Sequence, residues 1–589
     1  MKTNDIRTEL KTWKFVVDQT GYGDGAGFAG KYYDDSSWTE VEANAPWETY
    51  EYAFHDYEGR GWYRCKVQPQ QKNKRYFLHF DGVGGAAKVY VNGQYVGGTE
   101  SRYLPFEVDV SDALWQDGES TVAVMVDNSR PDRPHLTGGV NIEWVLYGGL
   151  NHRVYLVERP KRYIDHLFVK AECDGSLQVD ATVKTIFTCP QMDCTLRVEV
   201  EGLPSCTAEK EFAIEKCVPK YGNLTNKTTF KLQAEDFKCW SPDEPNLYNM
   251  TVTLLNGDEV LHVVTERFGF RTISTEGTKI LLNGEEIHFK GANRYDEYAP
   301  YGNSPSAELI REDLLEMKKM GMNIVRTHYP QDPIHYEIAD EIGLMYMIEV
   351  PLNWWNPDPD DTLADHMILA AEAVDCLDRT FYWHCNHPSW VVWSTGNECN
   401  HSARACQELF RILAERMRGL NCGRLVTYAA NKPLKTSEEL DFCDFIGLNF
   451  YSGILSQSVE DFPEQLEKVL ESKMTKAQEL YPNVPHVMTE FGYVAPYGSH
   501  GSDTEGRYTE DFGATFLKAK CAQLLKNPQL KGLIIWCWAD YRHRRGFVTN
   551  KFNMGFQATY GPYGLVSMDR KPKKKWIKVM KEVYKNWQI

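Results

Sequence analysis

Residues 390–398, with the sequence WVVWSTGNE, begin as an apolar run and end in an amide and a carboxylate, Asn397 and Glu398. Residues 486–492, HVMTEFG, have the same arrangement, with Glu490 directly after the apolar run. Short apolar runs of this length predict strands that are buried on both faces, as in a parallel sheet. The two segments therefore predict parallel strands that each carry a carboxylate at the carboxyl end.

Strand-like segments alternate with helix-like segments from residue 273 onward, which is the pattern of a parallel α/β sheet. The predicted strands are His288–Gly291, Asn323–Arg326, Met345–Glu349, Trp390–Ser394, Leu425–Tyr428, Phe445–Asn449, His486–Glu490 and Gly532–Trp536. The amphipathic stretches between them include Ala307–Met320, Ala403–Arg418, Pro463–Leu480 and Thr509–Leu525. Eight such units predict a (β/α)8 TIM barrel. A doubly wound sheet is the alternative, but no GxGxxG phosphate loop follows the first strand.

Two β-rich regions precede the predicted barrel. Residues 1–162 contain short alternating strands with turns between them, such as Ala87–Gly93 with its Asn-Gly turn, and these predict a β-sandwich. Residues 163–272 contain Leu196–Val200 and Tyr248–Leu254, and the length of this region fits an immunoglobulin-like β-sandwich. The sequence therefore predicts three domains, at 1–162, 163–272 and 273–589.

The composition argues against several classes of protein. The 589 residues contain 82 Asp and Glu against 65 Lys and Arg, a net charge of −17, whereas nucleic-acid binders present basic faces. No stretch approaches the roughly 18 apolar residues of a membrane span, and the first residues lack the apolar core of a secretion signal. The 15 cysteines are scattered without zinc-ligand spacing, so we expect reduced thiols, a cytoplasmic location and no metal.

The carboxylates Glu398 and Glu490 follow the fourth and seventh predicted strands. Side chains at the carboxyl ends of barrel strands converge on one mouth, where the chemistry of such barrels takes place. Two converging carboxylates, one protonated and one ionised, are what glycoside hydrolysis requires. The alternative is that each glutamate caps a helix or joins a surface ion pair. Amide and aromatic residues at neighbouring strand ends, Asn397, Tyr451 and Trp536 among them, favour the sugar site.

Longer motifs occur in all three predicted domains: Val89–Gly93 and Tyr147–Leu150 in the first, Trp240–Tyr248 in the second, and Asn386–Ser389 leading to Glu398 in the third. In that order they resemble the sugar-binding jelly roll, the immunoglobulin-like domain and the acid/base motif of glycoside hydrolase family 2, the group of β-galactosidases, β-glucuronidases and β-mannosidases. The resemblance implies that Glu398 is the general acid/base and that Glu490, in Thr-Glu-Phe-Gly, is the nucleophile. It also implies retention of anomeric configuration.

Two barrel motifs depart from the family pattern. In Gly291–Glu297, Tyr295 stands where the family usually has histidine, and the motif around His328 is one residue shorter than usual. Both segments help to shape the sugar pocket in the family, so Glu297 and His328 are predicted to bind substrate. For His328, a structural role at the strand end is the alternative. The remaining predicted binding residues of the barrel strand ends are Asn397, Asn449, Tyr451 and Trp536.

Within the family, the chain is most similar to the β-glucuronidases, and the segments that carry this similarity are Asp444–Tyr451, Trp536–Tyr541 and Met568–Lys573. Those enzymes hold the uronic carboxylate with an Asn-x-Lys-Gly element. Gly561–Gly564, with the sequence GPYG, stands at the aligned place and has neither the asparagine nor the lysine.

The loop before that place contains a dense group of cations in an otherwise acidic chain. Arginine pairs bidentately with carboxylates, so an anionic substrate explains the group, and Arg544, Arg545 and Lys551 are predicted to bind it. The alternative is a surface loop whose cations pair with acidic neighbours.

We therefore expect a retaining, exo-acting β-glycoside hydrolase that removes glucuronic or galacturonic acid from conjugates or glycans. The alternatives are a β-galactosidase acting on neutral sugars and a non-catalytic carbohydrate-binding protein. Hydrolysis by a carboxylate pair needs no cofactor. The expected partners are small-molecule or oligosaccharide β-glycosides and further copies of the chain in a dimer or tetramer, with no nucleic acid and no membrane.

Overall fold

The computed structural model describes residues 2–71, 74–115, 118–129, 136, 142–185, 192–214, 224–544 and 560–588. Along the chain, two β-sandwiches, each made of two antiparallel sheets, precede a closed eight-stranded parallel barrel. In these described residues no helix has the length and apolar character needed to cross a bilayer.

The first β-sandwich consists of a six-stranded and a four-stranded antiparallel sheet. In sheet order, the six strands are Thr39–Glu42, Thr12–Asp18, Arg60–Val67, Ser120–Asp127, Ala86–Val91 and Gln94–Thr99, and the four are Ile6–Glu9, Val154–Arg159, Arg75–Phe80 and Phe106–Asp109. Side chains of both sheets meet in one core, in which Phe80 stacks on Phe106 with ring centroids 4.4 Å apart. Short 3-10 turns lie at Trp47–Thr49 and Tyr52–Phe54.

The second β-sandwich consists of a five-stranded and a three-stranded antiparallel sheet. The five strands are Lys2–Thr3, Glu259–Phe268, Tyr248–Asn256, Met192–Val200 and Ala208–Ile214, and the three are Arg162–Ala171, Ser176–Thr185 and Leu224–Gln233. A 3-10 turn lies at Pro204–Cys206. The start of the chain thus pairs with the second sandwich. Cys173 and Cys239 form a disulfide, so the expectation of reduced thiols is wrong for this pair, which the fold brings together across 66 residues of sequence.

The barrel strands form a closed parallel sheet in chain order, as predicted. They are β1 Phe289–Arg294, β2 Ile324–Thr327, β3 Met345–Glu349, β4 Trp390–Asn397, β5 Leu425–Ala430, β6 Ile446–Asn449, β7 His486–Phe491 and β8 Leu530–Ile535. Pairing of Phe289 with Gly532 closes the sheet between β1 and β8. The eight strands and the (β/α)8 fold class predicted from the sequence are confirmed.

Seven α-helices surround the barrel in the described residues. They are α1 Ala307–Lys319, α2 Pro333–Ile342, α3 Met367–His384, α4 Arg404–Gly419, α5 Glu471–Leu480, α6 Glu510–Leu524 and α7 Lys574–Asn586, with a π-helix, Pro463–Leu470, leading into α5 and 3-10 turns at Leu363–His366 and Val459–Asp461. Residues 431–445 join β5 to β6 without a helix, so one predicted strand–helix unit lacks its helix. Local chemistry sets helix ends, as in α2, where the Asp332 side chain caps the start and Gly343 follows the end with φ +72°.

Two small sheets complete the fold. The strands Ile273–Glu276, Lys279–Leu282 and Glu285–Glu286 lie before β1, and Tyr541–Arg542 pairs with Tyr560–Gly561 after β8. Ile280 of the first small sheet packs in one cluster with Phe289, Ile324 and Met345 from the starts of the barrel strands. The amino end of the barrel is therefore filled by apolar side chains, and polar side chains gather at the opposite end.

Candidate active site

A cavity of about 460 Å³ opens at the carboxyl ends of the barrel strands. Every strand contributes a lining residue at or shortly after its end, in chain order Tyr295, His328, Asn353 with Trp354, Asn397 with Glu398, Asn431, Asn449 with Tyr451, Glu490, and Trp536. This is the mouth at which such barrels carry out chemistry. In the described part of the chain, no group of three or more His, Cys, Asp or Glu side chains is placed to hold a metal ion.

Glu398 lies directly after β4 with its backbone in the left-handed region, at φ +52°. Non-glycine residues in this conformation are rare and cluster at functional sites, where the surroundings hold them in place. Its carboxylate accepts hydrogen bonds from Trp354 Nε1 at 3.0 Å, Asn431 Nδ2 at 2.9 Å and Asn449 Nδ2 at 2.9 Å. These described donors to Glu398 are all neutral groups.

Glu490 lies in β7 and is 4% exposed. Arg326 Nη1 donates to its Oε1 at 2.7 Å, and the Tyr451 hydroxyl donates to its Oε2 at 2.8 Å. Burial raises the pKa of Glu490 to about 8; Arg326 opposes the rise, the charge of Glu398 adds to it, and the Tyr451 hydrogen bond lowers it. Burial also raises the pKa of Tyr451 well above its ordinary value, so this side chain remains a phenol that can donate.

Arg326 is fully buried at the centre of the strand ends. Besides Glu490, it donates to Glu349 Oε2 at 2.8 Å, Asn397 Oδ1 at 2.7 Å and Asn293 Oδ1 at 2.8 Å. A guanidinium in such a place is stable only when anions and hydrogen bonds replace its hydration, and two carboxylates supply this. Arg326 therefore fixes the positions of strand ends β1, β3, β4 and β7 relative to one another.

The two asparagines predicted to bind substrate form a hydrogen-bonded pair. Asn449 Nδ2 donates to Asn397 Oδ1 at 3.0 Å, and its Oδ1 accepts from Thr489 Oγ1 at 2.7 Å. Asn397 Nδ2 in turn donates to Asn353 Oδ1 at 2.8 Å. These bonds fix the orientation of both amide groups beside Glu398.

Aromatic rings form the wall beside Glu490. His328 Nε2 is 3.7 Å from Glu490 Oε1, and its ring centroid is 5.1 Å from that of Trp536. Burial lowers the pKa of His328 well below its ordinary value, so the ring is neutral. A neutral imidazole and an indole face the cavity here, which suits the C–H and hydroxyl groups of a sugar ring.

The first sandwich also contributes to the cavity, through Glu143 and Trp144. The Trp144 ring centroid lies 5.4 Å from that of Tyr295 in the barrel. The Tyr541 hydroxyl donates to the Glu143 carboxylate. The site is therefore shared between two domains.

Glu297 lies outside this cavity, in a smaller one of about 70 Å³ between the first sandwich and the barrel. Its Oε1 accepts from the Tyr147 hydroxyl at 2.8 Å and from the backbone N–H of Arg542 at 3.1 Å. The structure thus places Glu297 in the contact between domains rather than beside the carboxylate pair.

Arg544 also lies away from the cavity, because an acidic neighbour in the first sandwich binds it. Its Nε donates to Glu58 Oε1 at 2.6 Å, which is the alternative that the sequence left open for the cationic loop. Arg542 pairs in the same way with Asp56, at 3.1 Å. Arg545 and Lys551 lie outside the described residues.

Several lining residues were not predicted from the sequence. Trp354 and Asn431 follow β3 and β5, so the rule that located Glu398 and Glu490, a polar side chain at a strand end, applies to them as well. Arg326 is not among the lining residues but holds Glu490, and it is the last residue of the predicted strand Asn323–Arg326, so the same rule applies to it. Trp144 comes from another domain, and no sequence pattern used above identifies it.

Family models match almost the whole chain. The matches are to the sugar binding domain of glycosyl hydrolases family 2 at residues 25–160, to glycosyl hydrolases family 2 at 162–271, and to the TIM barrel domain of the same family at 273–589.

Curated relatives are longer than this chain. A Formosa agariphila protein with a provisional β-glucuronidase assignment is 28% identical over 376 residues, 62% of this chain and 43% of its own length. A β-galactosidase of Thermoanaerobacter pseudethanolicus is 30% identical over 372 residues, 61% of this chain and 48% of its own length. The chain therefore spans less than half the length of these relatives.

Solved structures share the fold over nearly full length. A family 2 β-galacturonidase from Eisenbergiella tayi bound to galacturonate has a TM-score of 0.83 and 23% identity, covering 99% of this chain and 98% of its own. A β-glucuronidase from Ruminococcus gnavus in complex with D-glucuronic acid has a TM-score of 0.84 and 23% identity, covering 98% of both chains. Because the barrel model alone matches more than half of the chain, at residues 273–589, the protein belongs to glycoside hydrolase family 2.

Proposed function

We propose that the protein is a retaining β-glycoside hydrolase in which Glu490 is the nucleophile and Glu398 the general acid/base. The observation that carries the proposal is the unequal environment of two carboxylates in one cavity. Glu490 accepts from the cation Arg326, whereas the described donors to Glu398 are neutral. Unequal environments of this kind divide the roles of a carboxylate pair.

The two carboxylates act as a coupled pair. The negative charge of Glu398 raises the pKa of Glu490, so a proton on Glu398 removes that contribution and leaves Arg326 and Tyr451 to stabilise ionised Glu490. The form with one proton on Glu398 and a charge on Glu490 is the one from which the reaction starts.

Two displacements follow from this state. In the first, Glu490 bonds to the anomeric carbon while the bond to the leaving oxygen breaks and Glu398 gives that oxygen its proton. In the second, ionised Glu398 takes a proton from water, the water oxygen bonds to the anomeric carbon, and Glu490 is released. Two inversions retain the configuration. A cavity of about 460 Å³ at the barrel mouth suits removal of a terminal sugar.

We infer that the terminal sugar is a β-linked uronic acid, glucuronic or galacturonic. The full-length fold similarity to a β-galacturonidase and a β-glucuronidase supports this choice. The second candidate is a β-galactosidase, which the 30% identity to a β-galactosidase favours.

The test is a panel of aryl β-glycosides of glucuronic acid, galacturonic acid, galactose, glucose and mannose. We expect kcat/KM to be highest on a uronide; a higher value on galactoside than on both uronides refutes the uronide assignment. Glu490→Gln should abolish turnover and leave sugar binding measurable, while Glu479→Gln, an exposed position on α5, should match the wild type. Hydrolysis by Glu490→Gln at the wild-type rate would show that another group is the nucleophile. Sugar binding without hydrolysis by the wild type would favour a carbohydrate-binding protein.

We also propose a cytoplasmic location and a homo-oligomer. Eleven described cysteines are free thiols, which supports a reducing compartment, although the Cys173–Cys239 disulfide does not. Thiol titration after rapid lysis tests the first proposal, and light scattering of the purified chain tests the second.

A further inference from the structure

Lys473 is the one lysine or arginine among the described residues that line the cavity, which also carries three carboxylates. It lies in α5, and Gln465 and Val469 line the cavity at four-residue intervals before it. Residues at this spacing share one face of a helical segment. The segment after β6 therefore turns one face, with Lys473 on it, toward the carboxylate pair.

The ammonium group of Lys473 is half-buried and has no carboxylate partner in the part of the chain that the structure describes. Its Nζ lies 5.1 Å from the ring centroid of Phe450, and burial lowers the pKa of Lys473. Neighbouring lysines of the same segment are paired, Lys468 with Glu464 at 3.2 Å and Lys476 with Glu479 at 3.5 Å. Lys473 thus differs from them in facing the cavity without a counter-ion.

A second donor lines the same side of the cavity. Ser452 is 9% exposed, and its hydroxyl oxygen has no hydrogen-bond partner in the described structure. A buried hydroxyl without a partner costs free energy, so a ligand atom that accepts its hydrogen is favoured at this place.

Another buried ammonium group lies behind this wall. Lys520 is 0% exposed, and its Nζ donates to the backbone oxygens of Phe450 at 2.6 Å and Ser452 at 3.0 Å. Burial, with a smaller contribution from the charge of Lys473, lowers the pKa of Lys520 to about 7. The two lysines are thus close enough to repel each other. An anion bound in the cavity beside Lys473 would offset that repulsion.

We propose that Lys473 and Ser452 form the site that binds the carboxylate of the substrate. The ammonium group pairs with one carboxylate oxygen, and the Ser452 hydroxyl donates to the carboxylate as well. This proposal rests on the uronide assignment and adds its determinant, which among the described residues comes from the segment after β6 and not from Arg544, since Glu58 pairs with that arginine.

The test compares sugars that differ only at C6. For wild type, Lys473→Met, Ser452→Ala and the control Lys476→Met, kcat/KM is measured on 4-nitrophenyl β-glucuronide against β-glucoside and on β-galacturonide against β-galactoside. A lost charge-assisted hydrogen bond predicts that Lys473→Met lowers kcat/KM on the preferred uronide about 10- to 100-fold. On the neutral partner the change should stay within about twofold. Ser452→Ala should show the same selectivity with a smaller loss, and Lys476→Met should match the wild type.

The outcomes separate the two proposals. One outcome is that the wild type hydrolyses a uronide best and Lys473→Met lowers kcat/KM equally on the uronide and on its neutral partner. In that case the carboxylate site is refuted and the uronide assignment stands. If the wild type prefers the neutral sugar, the uronide assignment fails, and the carboxylate site with it. Thermal melting of each variant shows whether an equal loss reflects folding.

Discussion

Replacing Tyr451 by phenylalanine should move the pH profile of the enzyme in a defined direction. The hydroxyl donates to Glu490 Oε2 at 2.8 Å, and this bond lowers the pKa of Glu490. Phenylalanine keeps the ring and removes the donor, while Arg326 still holds the other carboxylate oxygen at 2.7 Å. The change therefore isolates one hydrogen bond to the proposed nucleophile.

The magnitude follows from the type of bond. A hydrogen bond to a charged group is worth about 1.5–3 kcal/mol, and one pKa unit corresponds to about 1.4 kcal/mol. The pKa of Glu490 should thus rise by roughly one to two units. Because the nucleophile must be ionised, activity is lost as the pH falls through this pKa, and a higher pKa moves the acidic limb of the profile to higher pH.

The assay is kcat/KM against pH for the wild type and Tyr451→Phe on the preferred aryl glycoside. Below the limb the variant should be about tenfold or more slower, and the deficit should close as the pH rises above it. Tyr584→Phe is the matched control, because that buried hydroxyl donates to the backbone oxygen of Gly291. An unmoved limb with the same deficit at every pH would refute the argument and indicate that the hydroxyl acts on the sugar.

Three further substitutions test other parts of the site. Glu398→Gln should reduce kcat/KM by about 10²- to 10⁴-fold for alkyl glycosides, which need a proton on the leaving oxygen, and far less for 2,4-dinitrophenyl glycosides; equal losses would contradict the acid role. Gly492→Ala should lower the melting temperature and activity, because a Cβ there collides with the backbone oxygen of Trp536, at a cost of about 1–3 kcal/mol; a wild-type melting temperature would contradict this. Lys520→Met should be destabilising by about 1–3 kcal/mol for each backbone oxygen left without its donor. The pKa of Lys520 falls from 10.5 in the unfolded chain to about 7 in the folded one, so the unfolded chain binds the proton more tightly. The free energy of unfolding of the wild type therefore increases as the pH rises from about 7 to 10.5. Calorimetry should therefore find that the stability difference between the wild type and Lys520→Met is larger at pH 9 than at pH 6. The same difference at both pH values would contradict the lowered pKa of Lys520.

The sequence predicted the barrel strands because parallel strands covered on both faces are continuous apolar runs. The β4 strand, for example, is buried at every position. The strand-end rule then placed Asn397, Glu398, Asn449 and Glu490 around one cavity, since the carboxyl ends of all eight strands meet there. Periodicity and position suffice for residues whose place depends on one strand.

Arg326 shows where this reasoning ends. An arginine inside a buried strand contradicts apolar patterning, and only the approach of Glu349 and Glu490 from two other strands permits it. The strand-end rule places Arg326 near the barrel mouth, because it ends the predicted strand Asn323–Arg326. Its role depends on partners that are distant in sequence, and no local pattern identifies those.

The contact between the first sandwich and the barrel determines which charges face the substrate. Trp144 and His543 form an antiparallel backbone bridge. Beside it, the backbone N–H of Arg544 donates to the backbone oxygen of Glu143 at 2.8 Å. The same docking that brings Glu143 and Trp144 to the cavity also places Glu58 against the Arg544 guanidinium. The docked sandwich thus adds a carboxylate to the cavity and pairs Arg544 outside it, so within the described residues the proposed anionic sugar would need a cation on another side of the cavity. Lys473, on the segment after β6, is in that position.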